Sequence, residues 1–188
     1  NPTVEKLYEG WLRAKKGNVD FILAVGGGSV CDYAKAVSVS VYCEDDPWEK
    51  FFLRMEDVDN KIIPVGCVLT MAGTGSEMNG GSVISNEKTQ EKLAFGHPLL
   101  VPVFTFEDPT LTFSVSKYQT AAGATDIMSH LLEQYFSSHD DDGLPDRLTE
   151  AMMINVINYA EKAVLEPDNY EARANLMWTS SLALNNLV

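Results

Sequence analysis

The sequence is short of basic residues. It contains 14 Lys and Arg against 27 Asp and Glu, which gives the 188 residues a formal net charge of −13. No segment carries the stripe of basic side chains with which nucleic-acid binders reach phosphates, so we expect no nucleic-acid partner. A run of about 18 apolar residues, the length that crosses a bilayer, is also missing, so we expect no membrane partner.

Cysteine is infrequent, and glycine and proline are not enriched. The three cysteines, Cys31, Cys43 and Cys67, are odd in number and form no C-x-x-C pair. This usage favours a reducing compartment over a disulfide framework, so we predict a cytoplasmic protein. With 13 Gly, 8 Pro and 45% hydrophobic residues, the composition excludes collagenous and disordered chains and is typical of a packed globular protein.

Hydrophobic spacing in the first forty residues predicts a helix, a strand and a second helix. Asn1 is expected to cap the first helix, with Pro2 at its first position. The segment 21–25 is apolar on both faces, so we expect a strand buried in a parallel sheet. Ser29 is placed to cap a helix that runs to about residue 41. This order of elements is typical of an α/β fold.

The rest of the chain divides into a strand-containing segment and a helical one. Strands are predicted at 62–69 and 101–106, a hairpin between 81–85 and 92–95, and helices at 116–137, 145–164 and from 168 onward. The acidic residues Asp140, Asp141 and Asp142 mark a turn between the first two of these helices. We therefore predict an α/β part at 1–112 and an all-helical part at 113–188.

A glycine-rich turn joins the first strand to the second helix. It consists of Gly26, Gly27, Gly28 and Ser29. Such a turn brings backbone N–H groups close to a phosphate, and the helix N-terminus adds a positive dipole. The pattern is neither G-x-G-x-x-G nor a Walker A loop, so an ordinary tight turn stays an equal alternative.

A second small-residue stretch, 70–77, follows the strand at 62–69 and contains Thr70 and Thr74. Its hydroxyl groups suit hydrogen bonding to a nucleotide. Taken alone, the stretch is better explained as a serine–threonine loop that satisfies its own backbone.

Asp126 and His130 lie four residues apart on a predicted helix, and therefore on one face. A carboxylate and an imidazole at this spacing can share a metal ion. Because catalytic zinc or iron usually has three or four protein ligands, a hydrogen-bonded pair is the commoner explanation of the spacing alone.

Three segments, taken in order, resemble a known family. Residues 26–35 (GGGSVCDYAK), 72–77 (AGTGSE) and 126–130 (DIMSH) are similar to the signatures of the iron-containing alcohol dehydrogenase family. Residues 64–70 (PVGCVLT) and 170–178 (YEARANLMW) resemble its butanol dehydrogenase branch, which includes NADPH-dependent aldehyde reductases. The resemblance extends over nearly the whole chain.

The resemblance implies a partial dinucleotide-binding domain followed by a partial helical, metal-binding domain. The glycine turn, with Asp32 nearby, would hold the pyrophosphate of NADP or NAD. Thr70, Thr74 and Lys92 match family positions that contact the ribose, nicotinamide or phosphate parts of the cofactor. Asp126 and His130 match the first two ligands of a catalytic divalent metal, iron or zinc, which acts as a Lewis acid on the substrate oxygen.

The implied activity is interconversion of a butanol-like primary alcohol and its aldehyde by hydride transfer with NAD(P)H. Two alternatives stay open. One is a glycerol dehydrogenase-like enzyme, or another enzyme of the superfamily acting on a polyol or sugar phosphate. The other is a catalytically incompetent nucleotide-binding fragment.

Family members carry two further histidine ligands after the last helix found here and an α/β segment before the first. We therefore expect the chain to be an internal fragment that is inactive in isolation. An incomplete helical bundle would also leave apolar side chains without partners, which predicts a homo-oligomer. These side chains are Trp178, Leu182, Leu184 and Leu187.

Overall fold

A computed structural model describes residues 1–137 and 143–187. The described chain forms two compact units, which we call the first and the second unit. The first contains Asn1–Val68 and Ser76–Phe106, and the second contains Leu69–Gly75 and Glu107–Val188. The predicted order of an α/β part followed by an all-helical part is confirmed. The division differs from 1–112 and 113–188 because residues 69–75 and 107–112 pack with the helices.

The first unit contains helices, a small sheet and a hairpin. In chain order its elements are α1 (Val4–Lys16), β1 (Ile22–Gly26), α2 (Gly28–Ser40), a π-helical turn (Trp48–Leu53), β2 (Val65–Leu69), β3 (Gly81–Asn86), β4 (Glu91–Gly96) and β5 (Phe104–Phe106). The sheet has the order β1-β2-β5, and β2 runs parallel to β5 with Gly66 opposite Phe104. β3 and β4 form the predicted antiparallel hairpin.

The two predicted helix caps are wrong. Thr3, not Asn1, caps α1, since its Oγ1 accepts from Lys6 N at 3.4 Å. Pro2 is held beside β3, where its carbonyl accepts from Ser85 N at 2.9 Å, so the helix starts after this contact. α2 begins at Gly28 with Gly27 as its cap residue, which leaves Ser29 inside the helix.

The expectation that the first strand is buried on both faces is also wrong. Ala24 of β1 packs against α2, but Leu23 and Val25 are 53% and 57% exposed. Phe21 stacks on Phe104, with ring centroids 5.8 Å apart, on the side of the sheet opposite to Ala24. One face of the sheet is therefore covered by α2, and the other is an exposed apolar surface in the described chain.

The described residues of the second unit form three α-helices and the segments packed against them. The helices are α3 (Lys117–Ser137), α4 (Leu144–Leu165) and α5 (Tyr170–Leu182), close to the predicted spans. Ile127 and Leu131 of α3 meet Val156 of α4 and Leu176 of α5 in the core. The predicted turn at Asp140, Asp141 and Asp142 lies outside the described residues.

The apolar side chains expected to lack partners at the chain end differ in exposure. Trp178, Leu184 and Leu187 are exposed, whereas Leu182 is partly buried against the helical core. The homo-oligomer inferred from them stays a prediction. None of the helices in the described ranges combines the length and the apolar character needed to span a membrane.

Candidate functional site

The glycine turn of the first unit presents an uncapped helix N-terminus. Gly27, the cap residue of α2, has φ −86° and ψ −170°, no side chain caps the helix, and its first turn contains no acidic residue. The first N–H groups of a helix have no partner within it, and the helix dipole makes this end positive. A Cβ on Gly26 would lie 2.5 Å from Val30 Cγ2, so glycine is required there for the strand to meet the helix closely.

Asp32 lies one turn into α2 and is engaged by the protein itself. Its Oδ1 accepts from Ser76 Oγ at 2.5 Å and its Oδ2 from Val83 N at 3.1 Å. Its backbone carbonyl accepts from Ser82 Oγ at 2.8 Å. Burial raises the pKa of Asp32, and the hydrogen bond from Ser76 and the charge of Lys35 oppose that rise. The carboxylate thus holds the chain that follows residue 75 against α2.

Lys35, to which the sequence analysis gave no role, completes this network. It is 0% exposed, and its Nζ donates to Ser76 O at 2.7 Å, Asn79 O at 3.1 Å and Asn79 Oδ1 at 3.2 Å. The same Nζ lies 4.0 Å from Asp32 Oδ1. Burial lowers the pKa of Lys35, and Asp32 opposes the change. The signal in the sequence was a lysine three residues after an aspartate on an otherwise uncharged helix.

The remaining proposed cofactor residues fall in both units. Lys92 is exposed on β4 of the first unit, directly across the hairpin from Ser85. Thr70 and Thr74 are half-buried and belong to the second unit. Within that unit, Gly73 N donates to Ser180 Oγ of α5 at 2.8 Å.

Segment 69–75 also approaches the helix backbones of the second unit very closely. A Cβ on Gly123 of α3 would lie 2.4 Å from Ala72 O. Gly75 has φ +64°, and a Cβ there would lie 2.8 Å from Ser180 O. These glycines therefore let the segment run directly against α3 and α5.

Asp126 and His130 lie on one face of α3, as their spacing predicts. His130 Nε2 is 3.9 Å from Asp126 Oδ1, which is beyond hydrogen-bond distance. The Asp126 side chain is half-exposed, and His130 Nδ1 is buried without a hydrogen-bond partner in the described residues. A Cβ on Gly73 would lie 3.6 Å from Asp126 Oδ2, so segment 69–75 borders this pair.

The pair fits a divalent metal in donor type but does not form a complete site. A carboxylate oxygen and an imidazole nitrogen are suitable ligands for iron or zinc. Within residues 1–137 and 143–187, no group of three His, Cys, Asp or Glu side chains is placed to hold a metal ion. The structure therefore shows two candidate ligands that are not bonded to each other.

The chain matches two family profiles and resembles several characterised proteins. The profile "Iron-containing alcohol dehydrogenase" matches residues 1–109, and "Fe-containing alcohol dehydrogenase family, C-terminal" matches 120–187. NADH-dependent butanol dehydrogenase A of Clostridium acetobutylicum is 44% identical over 188 residues, which are 100% of this chain and 48% of that protein. NADPH-dependent aldehyde reductase YqhD of Escherichia coli is 40% identical over 190 residues, 100% of this chain and 49% of that protein.

Solved structures agree with these similarities. Butanol dehydrogenase A of Thermotoga maritima superposes with a TM-score of 0.93 at 40% identity, covering 98% of this chain and 46% of that one. The E. coli YqhD structure superposes with a TM-score of 0.94 at 40% identity, covering 100% of this chain and 48% of that one. The chain thus spans about half the length of the curated relatives it matches. Because a family profile covers more than half of its residues, the chain belongs to the iron-containing alcohol dehydrogenase family.

Proposed function

We propose that the protein to which this chain belongs interconverts a small primary alcohol and its aldehyde by hydride transfer with NAD(P)H. The observation that carries the proposal is the pair Asp126 and His130. The two side chains share a face of α3 and lie too far apart to hydrogen-bond to each other. Similarity to butanol dehydrogenases and an aldehyde reductase over the whole chain supports the same activity.

The first unit is proposed to bind the cofactor pyrophosphate at the N-terminus of α2. Gly26 permits the close approach of strand and helix, while Gly27, Gly28 and Ser29 offer N–H groups to a phosphate. The contribution of Asp32 is then indirect, since its carboxylate already binds Ser76 and Val83.

Contacts to the rest of the nicotinamide cofactor are assigned to Thr70, Thr74 and Lys92. The named relatives include both NADH-dependent and NADPH-dependent enzymes. The proposal therefore covers either nucleotide, and comparison of the two in a binding titration identifies the preferred one.

Asp126 and His130 are proposed to hold a divalent metal of the iron type. When bound, such an ion polarises the substrate oxygen and stabilises the charge that develops there during hydride transfer. The protein's own part is to fix both ligands on one face of one helix, α3. The metal content of the purified protein distinguishes iron from zinc.

The surface beside the pair favours an uncharged substrate. A groove of about 530 Å³ is lined by Asp126 and by small or aromatic side chains such as Ala122, Ser129 and Tyr118. Its lining residues include no Lys, Arg or His, so apart from the proposed metal ion no cation is present to bind a phosphate group. A simple alcohol or aldehyde therefore suits this groove better than a sugar phosphate.

The test is aldehyde-dependent NAD(P)H oxidation by the protein expressed from its complete gene and loaded with metal. Butanal is expected to be reduced, and glyceraldehyde phosphate is expected to be a poor substrate. Asp126→Ala and His130→Ala should each abolish turnover, whereas Gln119→Ala, on an exposed position of the same helix, should leave it unchanged. Activity that survives both ligand substitutions would contradict the metal role.

The alternative of a catalytically incompetent nucleotide-binding fragment is tested on the 188-residue chain itself. We expect NAD(P)H binding without turnover, because only two candidate ligands are present in its described residues. Aldehyde reduction by this chain alone would show that two ligands are sufficient.

A further inference from the structure

Arg173 of α5 is a buried cation whose hydrogen-bond partners carry no charge. It is 5% exposed. Its Nε donates to Pro167 O at 2.9 Å and its Nη1 donates to Thr120 Oγ1 at 2.8 Å. Its Nη2 is buried and has no hydrogen-bond partner in the described residues. Burial lowers the pKa of Arg173.

A counter-ion for this guanidinium is missing from the described part of the chain. The ion pairs found in residues 1–137 and 143–187 do not include Arg173. A guanidinium stays protonated at any physiological pH, so it cannot lower the cost of burial by losing its proton. Burying a charge is costly unless an opposite charge compensates it. The arrangement therefore calls for an anion.

Arg173 borders a small internal cavity of the second unit. The volume is about 20 Å³, and the other polar side chains in its lining are Thr112 and Thr120. The Thr112 hydroxyl already donates to Pro109 O at 2.7 Å. The Thr120 hydroxyl accepts from Arg173, so its own hydrogen is available to donate to a bound species. The rest of the lining is apolar, with Val115 and Leu176 among its members.

The size of the cavity selects the ligand. A volume of this order holds one water molecule or one monatomic ion, and it is too small for phosphate, sulfate or a carboxylate. Water would give Nη2 a hydrogen-bond partner but would leave the positive charge uncompensated. A halide ion would accept a hydrogen bond from Nη2 and would also compensate the positive charge.

We propose that the cavity binds a chloride ion, held by Arg173 Nη2 and the Thr120 hydroxyl. The ion would link α5, which carries Arg173, to the first turn of α3, which carries Thr120. Met71 and Ala72 also line the cavity, so its filling supports segment 69–75 as well. The site is separate from the metal pair and does not depend on the proposed oxidoreductase activity.

The first test follows thermal unfolding of the protein expressed from its complete gene while chloride replaces gluconate at constant ionic strength. The Tm is expected to rise saturably by about 2–4 °C. Arg147→Met, which removes an exposed arginine of the same unit, should show the same rise, whereas Arg173→Met should show none. An equal response of wild type and Arg173→Met, or no response of wild type, would overturn the proposal.

A second measurement needs no variant and covers the case in which Arg173→Met does not fold. Crystals of the wild-type protein soaked in bromide are expected to show an anomalous peak within hydrogen-bond distance of Arg173 Nη2. Density there without anomalous signal would identify water and refute the halide site.

Discussion

The two units differ in whether their buried charged groups have charged partners within the chain. In the first unit, Lys35 makes three hydrogen bonds and lies 4.0 Å from Asp32, whose two carboxylate oxygens are also bonded. In the second, Arg173 has only neutral acceptors, and its Nη2 lacks a partner in the described chain. Charges satisfied within the chain hold the fold together, whereas unmatched ones indicate where a ligand belongs.

Lys35→Met tests whether the hydrogen-bonded charges of the first unit hold its fold together. The substitution leaves Asp32 without its buried cation and removes the donor to Ser76 and Asn79, so it should lower the free energy of unfolding by about 3–5 kcal/mol. Urea denaturation measures the change. Lys92→Met, at an exposed position of the same unit, should change it by less than about 0.5 kcal/mol and serves as the control. Equal stability of the two variants would show that the hydrogen bonds of buried Lys35 do not hold the first unit together.

A second prediction concerns segment 69–75, which the second unit holds by close backbone approach rather than by charge. In Gly123→Ala the new Cβ would lie 2.4 Å from Ala72 O, a backbone atom. Because the backbone of segment 69–75 must then move, the free energy of unfolding should fall by roughly 2 kcal/mol. In Gly73→Ala the nearest atom would be 3.5 Å away, an ordinary contact, and the effect should be much smaller. Thermal unfolding compares the two variants, and a larger effect of Gly73→Ala would contradict the description of the segment.

Asp32→Asn is expected to lower the free energy of unfolding by about 1–2 kcal/mol at neutral pH, because the hydrogen bonds with Ser76 and Val83 are altered. Burial raises the folded pKa of Asp32 above its ordinary value, so the folded state binds its proton more tightly than the unfolded state. The resulting stability is fully present below the ordinary pKa and is lost as pH rises through the raised one.

Because asparagine does not titrate, the stability difference between wild type and Asp32→Asn should shrink as pH rises from about 4 to 7. Urea titrations at several pH values measure this difference. A difference that widens over the same range would mean that the neighbouring Lys35 outweighs burial.

The smallest expected effect is that of Arg173→Met in chloride-free buffer. Two hydrogen bonds to neutral acceptors are lost, but an uncompensated charge is replaced by an apolar side chain. The free energy of unfolding should therefore fall by no more than about 1 kcal/mol. If Arg173→Met costs as much as Lys35→Met under these conditions, the two cations are equally well satisfied and the contrast between the units fails.

Local patterns predicted most of the elements. The helices of the second unit and the hairpin of the first follow from hydrophobic spacing and turn residues, and the common face of Asp126 and His130 follows from helical geometry alone. The fold class and the family also followed from the sequence, because the signature segments lie in the expected order.

The features that the sequence did not predict depend on contacts between residues far apart in the chain. Thr3 caps α1 because Asn1 and Pro2 are held by Ser85, far along the chain. Residues 107–112 and 69–75 join the second unit through packing on α3 and α5, and no local pattern reveals that choice. Lys35 was given no role, since a lysine on a helix is usually solvated and its partners lie 41 and 44 residues away.

Iron-edge anomalous diffraction from crystals of the protein expressed from its complete gene tests most directly whether Asp126 and His130 are metal ligands. One peak is expected within coordination distance of both an Asp126 carboxylate oxygen and His130 Nε2, and the signal should be lost in Asp126→Ala. An active enzyme whose metal lies elsewhere, or that contains no divalent metal, would contradict it.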